Sequence, residues 1–191
     1  MYIAPNTLNA TGLVRGRFGM GGSFNQKQYT VAASQTIYAG DVLALTVGSA
    51  GVLTVQQSIA APSAGSVTLS GGNLPILGVA LNPVTANASG VDTSTGQTAV
   101  VNVALFDASL ELLLRIYNAT ASASQQQDLT LGVPYQFGRY TPSSGNPFYV
   151  LSTTTTNGEL VYVENYLESS VTDTYGPVWT RIAISETIQQ G

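Results

Sequence analysis

Short apolar runs rich in β-branched residues recur along the chain, each bounded by Gly, Pro, Asn, Asp or Ser. Residues 42–47 and 52–57 are two such runs around a small-residue turn at 48–51, the pattern of a β-hairpin. Residues 29–31 and Ile37-Tyr38 lead into Gly40-Asp41, a turn signal. Residues 63–73 read as loop, with a short strand at 67–69. Residues 74–81 predict a buried strand that begins after Pro75, and residues 98–106 predict the next. Residues 110–117 are ambiguous, because leucine serves helices and buried strands alike; strand is favoured. Residues 119–127 are a tract of Ala, Ser and Gln that suits a loop or a short helix.

Beyond that tract the pattern turns aromatic. Residues 135–137, 148–151 and 160–163 are strands by composition, and residues 179–184 close the series. Asn157-Gly158 stands between two of these runs and is the strongest local hairpin signal in the chain. Many short strands spaced by roughly 8–12 residues predict an all-β fold, a compact β-barrel or β-sandwich.

The first 27 residues follow another pattern and predict an extended N-terminal arm, with a body at 28–191 and a possible subdivision near 118–128. Residues 16–22 hold four glycines, which supply no side chain to pack and cost conformational entropy to fix. Arg15, Arg17 and Lys27 are half of the six basic residues, and none follows from Gln28 to Leu114. One reading is a frayed terminus. The other is an arm that orders against an acidic partner surface, with Arg15, Arg17 and Lys27 supplying charge and Phe18 and Met20 apolar anchors.

Composition narrows the function. Apolar residues make up 44% of the chain and charged residues 8%. An ordinary soluble domain carries roughly 25% charged residues. A neutral polar surface repels its neighbours weakly, which suits a protein packed against others and predicts a homo-oligomer, a trimer by preference. With no histidine and no cysteine, the commonest general base, thiolate chemistry and the usual transition-metal ligands are missing. The expectation is a protein that is not an enzyme and needs no cofactor or metal. A net charge of −4 argues against nucleic acid as a partner. No secretory signal or membrane partner is expected: the start is neither basic nor apolar, and the run at 110–116 is too short to span a bilayer.

Carboxylates alone can run acid–base chemistry, and Glu159, Glu164 and Glu168 lie close together in sequence. On one strand, Glu164 and Glu168 would stand roughly 13 Å apart, beyond either glycosidase geometry. Asp92-Thr93-Ser94-Thr95-Gly96 resembles part of a calcium loop but lacks its later acidic ligands; a turn started by Asp92 explains it. The aromatic second half, from Tyr135 to Trp179, reads as core and subunit interface, or as a carbohydrate platform.

Residues 36–45 (TIYAGDVLAL), 51–55 (GVLTV), 76–80 (ILGVA) and 100–103 (VVNV) together resemble small β-rich capsid decoration, or cement, proteins of tailed phages. The resemblance covers about residues 28–106. It implies a virion protein on the capsid surface, commonly trimeric, that clamps neighbouring major capsid protein subunits. The chain is longer than the smallest members, and its aromatic half has no counterpart among them. The competing expectation is a carbohydrate- or receptor-binding β-module of a phage or bacterial surface structure.

Overall fold

A computed structural model describes residues 14–16, 25–48, 51–69, 76–106, 110–117, 129–152, 161–166 and 177–182. Among these the chain forms fifteen strands and no α-helix, so the protein is all-β. The first sheet joins β2 (Gln26–Thr30), β4 (Val42–Val47), β5 (Leu53–Gln57), β7 (Ile76–Ala80) and β9 (Val100–Leu105) in the order β2-β9-β7-β4-β5. Its two ends meet. Val31 bridges Val55 in parallel, and the Ala32 amide donates to the Val55 carbonyl at 2.9 Å. The hydrogen-bonded path therefore returns on itself as a small barrel. A ribbon of β3 (Thr36–Ile37) and β8 (Val84–Thr85) lies beside it. Val31, Ile37, Leu43, Val55, Leu77, Val101 and Val103 form its interior.

The second sheet is built on β10 (Leu110–Tyr117), β11 (Pro134–Tyr135), β12 (Phe137–Thr141), β13 (Phe148–Ser152), β14 (Val161–Tyr166) and β15 (Pro177–Ile182). The order is β11-β14-β15-β10-β13-β12, and β6 (Ser66–Leu69) pairs with the free edge of β12. Only Gln136 separates β11 from β12, and its carbonyl accepts from the Ser152 amide at 2.8 Å. This path, too, closes on itself. The short strand β1 (Val14–Gly16) pairs with β10, setting Arg15 opposite Glu111.

The two sheets pack together through one core. Val42, Ile76, Val79 and Ala104 on the outside of the first meet a cluster with Leu112, Leu114, Ile116, Phe137 and Leu151 of the second. Each such buried aliphatic side chain contributes about 1.5–3 kcal/mol relative to an exposed one. This covering explains the unbroken apolar runs. All five residues of β7 are buried, because one face lines the barrel and the other meets the second sheet. A register shift between Leu43 and Ala44 turns Ile76 and Val79 toward the same side despite their odd spacing. Gly78 sits where a Cβ would come within 2.0 Å of the Ala104 carbonyl oxygen, so no other residue fits there.

The hairpin expected at 42–57 is present, with Val47 opposite Leu53. The ambiguous stretch is a strand. Its even residues face the shared core, and Glu111, Leu113 and Arg115 on its other side are buried as well. The hairpin signalled by Asn157-Gly158 does not join the flanking strands. β13 pairs with β12 and β10, and β14 with β11 and β15, so β13 and β14 are not neighbours. Asn157, Gly158 and the suggested subdivision near 118–128 lie outside the described residues.

Candidate functional site

Of the five arm residues, Arg15 and Lys27 are among the described residues, and they lie on different sheets. Arg15 belongs to β1 on the second sheet, whereas Lys27 lies in β2 on the first, opposite Val103. Lys27 is exposed, with Nζ 5.4 Å from the centre of the Tyr29 ring. Arg17, Phe18 and Met20 fall outside the described residues.

The most developed polar arrangement is buried between the sheets. Gly40 adopts φ 91°, a conformation open to glycine, and the turn from Tyr38 to Asp41 swings the Asp41 carboxylate inward. Both carboxylate oxygens accept from Arg139 Nη2 at 3.0 Å. Oδ2 also accepts from the Tyr38 amide at 2.9 Å and from Gln57 Nε2 at 3.0 Å. Gln57 in turn donates to the Thr36 carbonyl. Arg139 Nη1 donates to the Ile59 carbonyl at 2.9 Å, and the guanidinium lies 5.6 Å from the centre of the Tyr149 ring. The Tyr149 hydroxyl donates to the Val42 carbonyl at 3.0 Å and lies 3.0 Å from Ser58 Oγ.

Burial pushes the Asp41 carboxyl above its ordinary range, and the Arg139 charge and the hydrogen bonds pull against it. Burial likewise holds the Tyr149 hydroxyl protonated, far above an ordinary phenol. The Asp41 carboxylate accepts four donor contacts, and the residue is 1% exposed beneath the pocket that Tyr38 and Phe148 line. The cluster is a polar pin between the two sheets. Local reading of Gly40-Asp41 found the turn and missed the partner. The signal available was Arg139 itself, a lone basic residue inside an apolar and aromatic strand run.

The concave surfaces open to solvent include two among the described residues. One, of about 220 Å³, lies over the pin at the junction of the sheets, with Tyr38 and Pro83 from the first half and Asn146, Pro147 and Phe148 from the second. The other, of about 480 Å³, runs beside the β4–β5 hairpin, with Thr46, Val47, Val52 and Thr54 in its wall.

Among the described residues, the aromatics of the second half are mostly core. Tyr135, Phe137, Phe148, Tyr149 and Trp179 are buried. Tyr140 is half-buried and stacks between Tyr117 at 5.2 Å and Phe148 at 5.4 Å.

Among the carboxylates considered for chemistry, Glu159 and Glu168 lie outside the described residues, and Glu164 falls at a bulge in β14. Asp92 caps its own turn, accepting from the Ser94 amide and hydroxyl at 2.8 Å each. Those bonds lower its pKa. No protein-family model matches the chain, and neither a curated protein nor a solved structure shows significant similarity to it.

Proposed function

We propose that this chain is a structural virion protein, a cement or decoration protein that binds the outside of a phage head and ties neighbouring major capsid subunits together. The observation that carries this reading is the character of the surface. The described fold directs its best-developed polar groups, Asp41, Arg139 and Tyr149, into a buried pin. Outside, it presents bare apolar residues at a hairpin tip beside a neutral groove. Such a surface serves adhesion rather than turnover. The stretch resembling phage decoration proteins, about residues 28–106, spans nearly all of the first barrel and its ribbon, together with β6, which pairs with the second sheet. The reading includes a homotrimer, a place on the capsid surface, and no catalysis.

The test is co-sedimentation of the purified protein with shells that lack it. Saturable binding with a fixed number of copies per shell, and a higher melting temperature of the shell, is the expected result. Shells that pellet without it end this reading.

A second reading, a carbohydrate- or receptor-binding module, is favoured by the pocket over the pin. Tyr38, Phe148 and two prolines offer flat apolar contacts there, and Asn146 offers an amide. Binding on a glycan array that is lost in Tyr38→Ala would select it.

A further inference from the structure

We propose that β1 is an exchangeable strand: the slot it fills beside β10 takes the same strand from a second copy of this chain, so that neighbouring copies are tied through residues 14–16. The inference goes beyond the cement reading and stands or falls without it. Three observations carry it.

First, the slot is a gap in the wall of the second sheet. Leu112 pairs with Thr180 of β15 on one side and with Val14 of β1 on the other. Arg115 pairs with Pro177 of β15 on one side and with Val150 of β13 on the other. β1 and β13 therefore lie end to end along the same edge of β10, with β13 covering residues 115–117 and β1 covering residues 110–112. Among the described residues no other strand reaches 110–112 from that side.

Second, the gap is costly to leave open. With β1 in place, Leu110, Glu111 and Leu112 are 1%, 4% and 1% exposed. A bare edge there leaves backbone N–H and C=O groups unpaired and is a template for another extended segment. Main-chain hydrogen bonds of this kind add a strand to a sheet. The segment that fits is β1 itself, antiparallel, with Val14 at Leu112, Arg15 at Glu111 and Gly16 at Leu110.

Third, β1 is tied to the fold at one place. It pairs with β10 and with no other strand among the described residues. The next described residue, Asn25, belongs with the first sheet, where its carbonyl accepts from the Leu105 amide at 2.8 Å. Eight residues intervene, three of them glycine. Three residue pairs hold a strand weakly, so β1 opens at a smaller cost than the fold as a whole. A slot refilled by the β1 of another copy regains the same pairs, so exchange sacrifices no contact. With 8% charged residues and a net charge of −4, copies repel one another weakly as they approach.

The chain has no cysteine, so a disulfide can report which β1 fills which slot. Full-length Val14→Cys is mixed with tagged full-length Leu112→Cys, incubated and oxidised. Arg15→Cys with Glu111→Cys is the second pair. Adjacent pairs of an antiparallel ladder alternate between wide and narrow spacing, so one of the two suits a disulfide. Urea unfolding shows that each variant is folded, and the second pair serves if Leu112→Cys is not. Val14→Cys with tagged Val52→Cys, an exposed site on the first sheet, measures linking by chance collision. Exchange should give singly tagged linked dimers about tenfold faster than the collision control, because a seated strand holds its cysteine at high effective concentration. In a chain carrying both cysteines, the share of links between chains should rise with protein concentration. Linking that stays within the doubly substituted chain at every concentration, while mixed chains link no faster than the control, overturns the inference: β1 then serves its own chain. Folded variants that link in neither arrangement place β1 elsewhere and overturn it too.

Discussion

Asp41 and Arg139, 98 residues apart in sequence, meet through both carboxylate oxygens at 3.0 Å where water does not reach. A buried ion pair stabilises little compared with apolar groups of the same shape, because both charges are desolvated. It does penalise every packing of the sheets that separates the partners. Arg139→Met should therefore cost about 3–5 kcal/mol in urea denaturation, since it leaves Asp41 buried and unpaired. The double variant Asp41→Leu/Arg139→Met should recover most of that loss. A single-variant cost under about 1 kcal/mol would show that the pair does not hold the junction.

Acid titration tests the same carboxylate. Burial raises the Asp41 pKa in the folded chain above the ordinary 3.8. Between those two values the folded chain holds a proton that the unfolded chain has released. The contribution of this group to stability is full below the unfolded pKa and is lost as the pH rises through the folded one. The stability of wild type minus that of Asp41→Asn should thus grow as the pH is lowered from about 7 toward about 4. A difference that shrinks over this interval would mean that Arg139 outweighs burial.

Tyr149→Phe keeps the ring and removes a hydroxyl that meets the Val42 carbonyl, Ser58 and the Ile59 amide. It should destabilise by about 1–3 kcal/mol, the cost of leaving buried polar groups unpaired. Chemical denaturation at neutral pH checks it, and an unchanged midpoint would remove Tyr149 from the pin.

Gly78→Ala places a methyl group 2.0 Å from the Ala104 carbonyl oxygen and 2.7 Å from a Val103 methyl. The contact is with a neighbouring strand, which cannot rotate away as a side chain could. The loss should reach or exceed the roughly 1–3 kcal/mol typical of overpacking. Gly78 has no positive φ, so the loss reports this clash and not backbone strain.

The parts of the fold written in neighbouring residues were readable. Small residues at 48–51 between two β-branched runs specify the hairpin, and the unbroken run 76–80 specifies a strand covered on both faces. Pairing over long distances was not readable. Asn157-Gly158 carries a strong local preference, yet β14 finds β15 and β11, where Val161 joins the shared core. Nor does anything near Ser66–Leu69 announce that it will pair with Phe137–Thr141. At the groove, low overall charge pointed to an adhesive surface. Which hydrophobics stay outside became visible only once Val47 and Leu53 stood at the tip while Leu43 and Val55, on the same strands, went in.

The pairing of β6 with β12 has a consequence for synthesis. When residues 66–69 leave the ribosome, their partner strand is about seventy residues from being made, which is several seconds of translation. Asp41 waits still longer for Arg139. The first barrel can close early around its own valines, but its outer face and β6 stay bare until the aromatic half arrives. Severing the chain between the barrels would strand β6 on the wrong fragment. The halves should therefore fail as separate expression products and recover only when both are produced in the same cell.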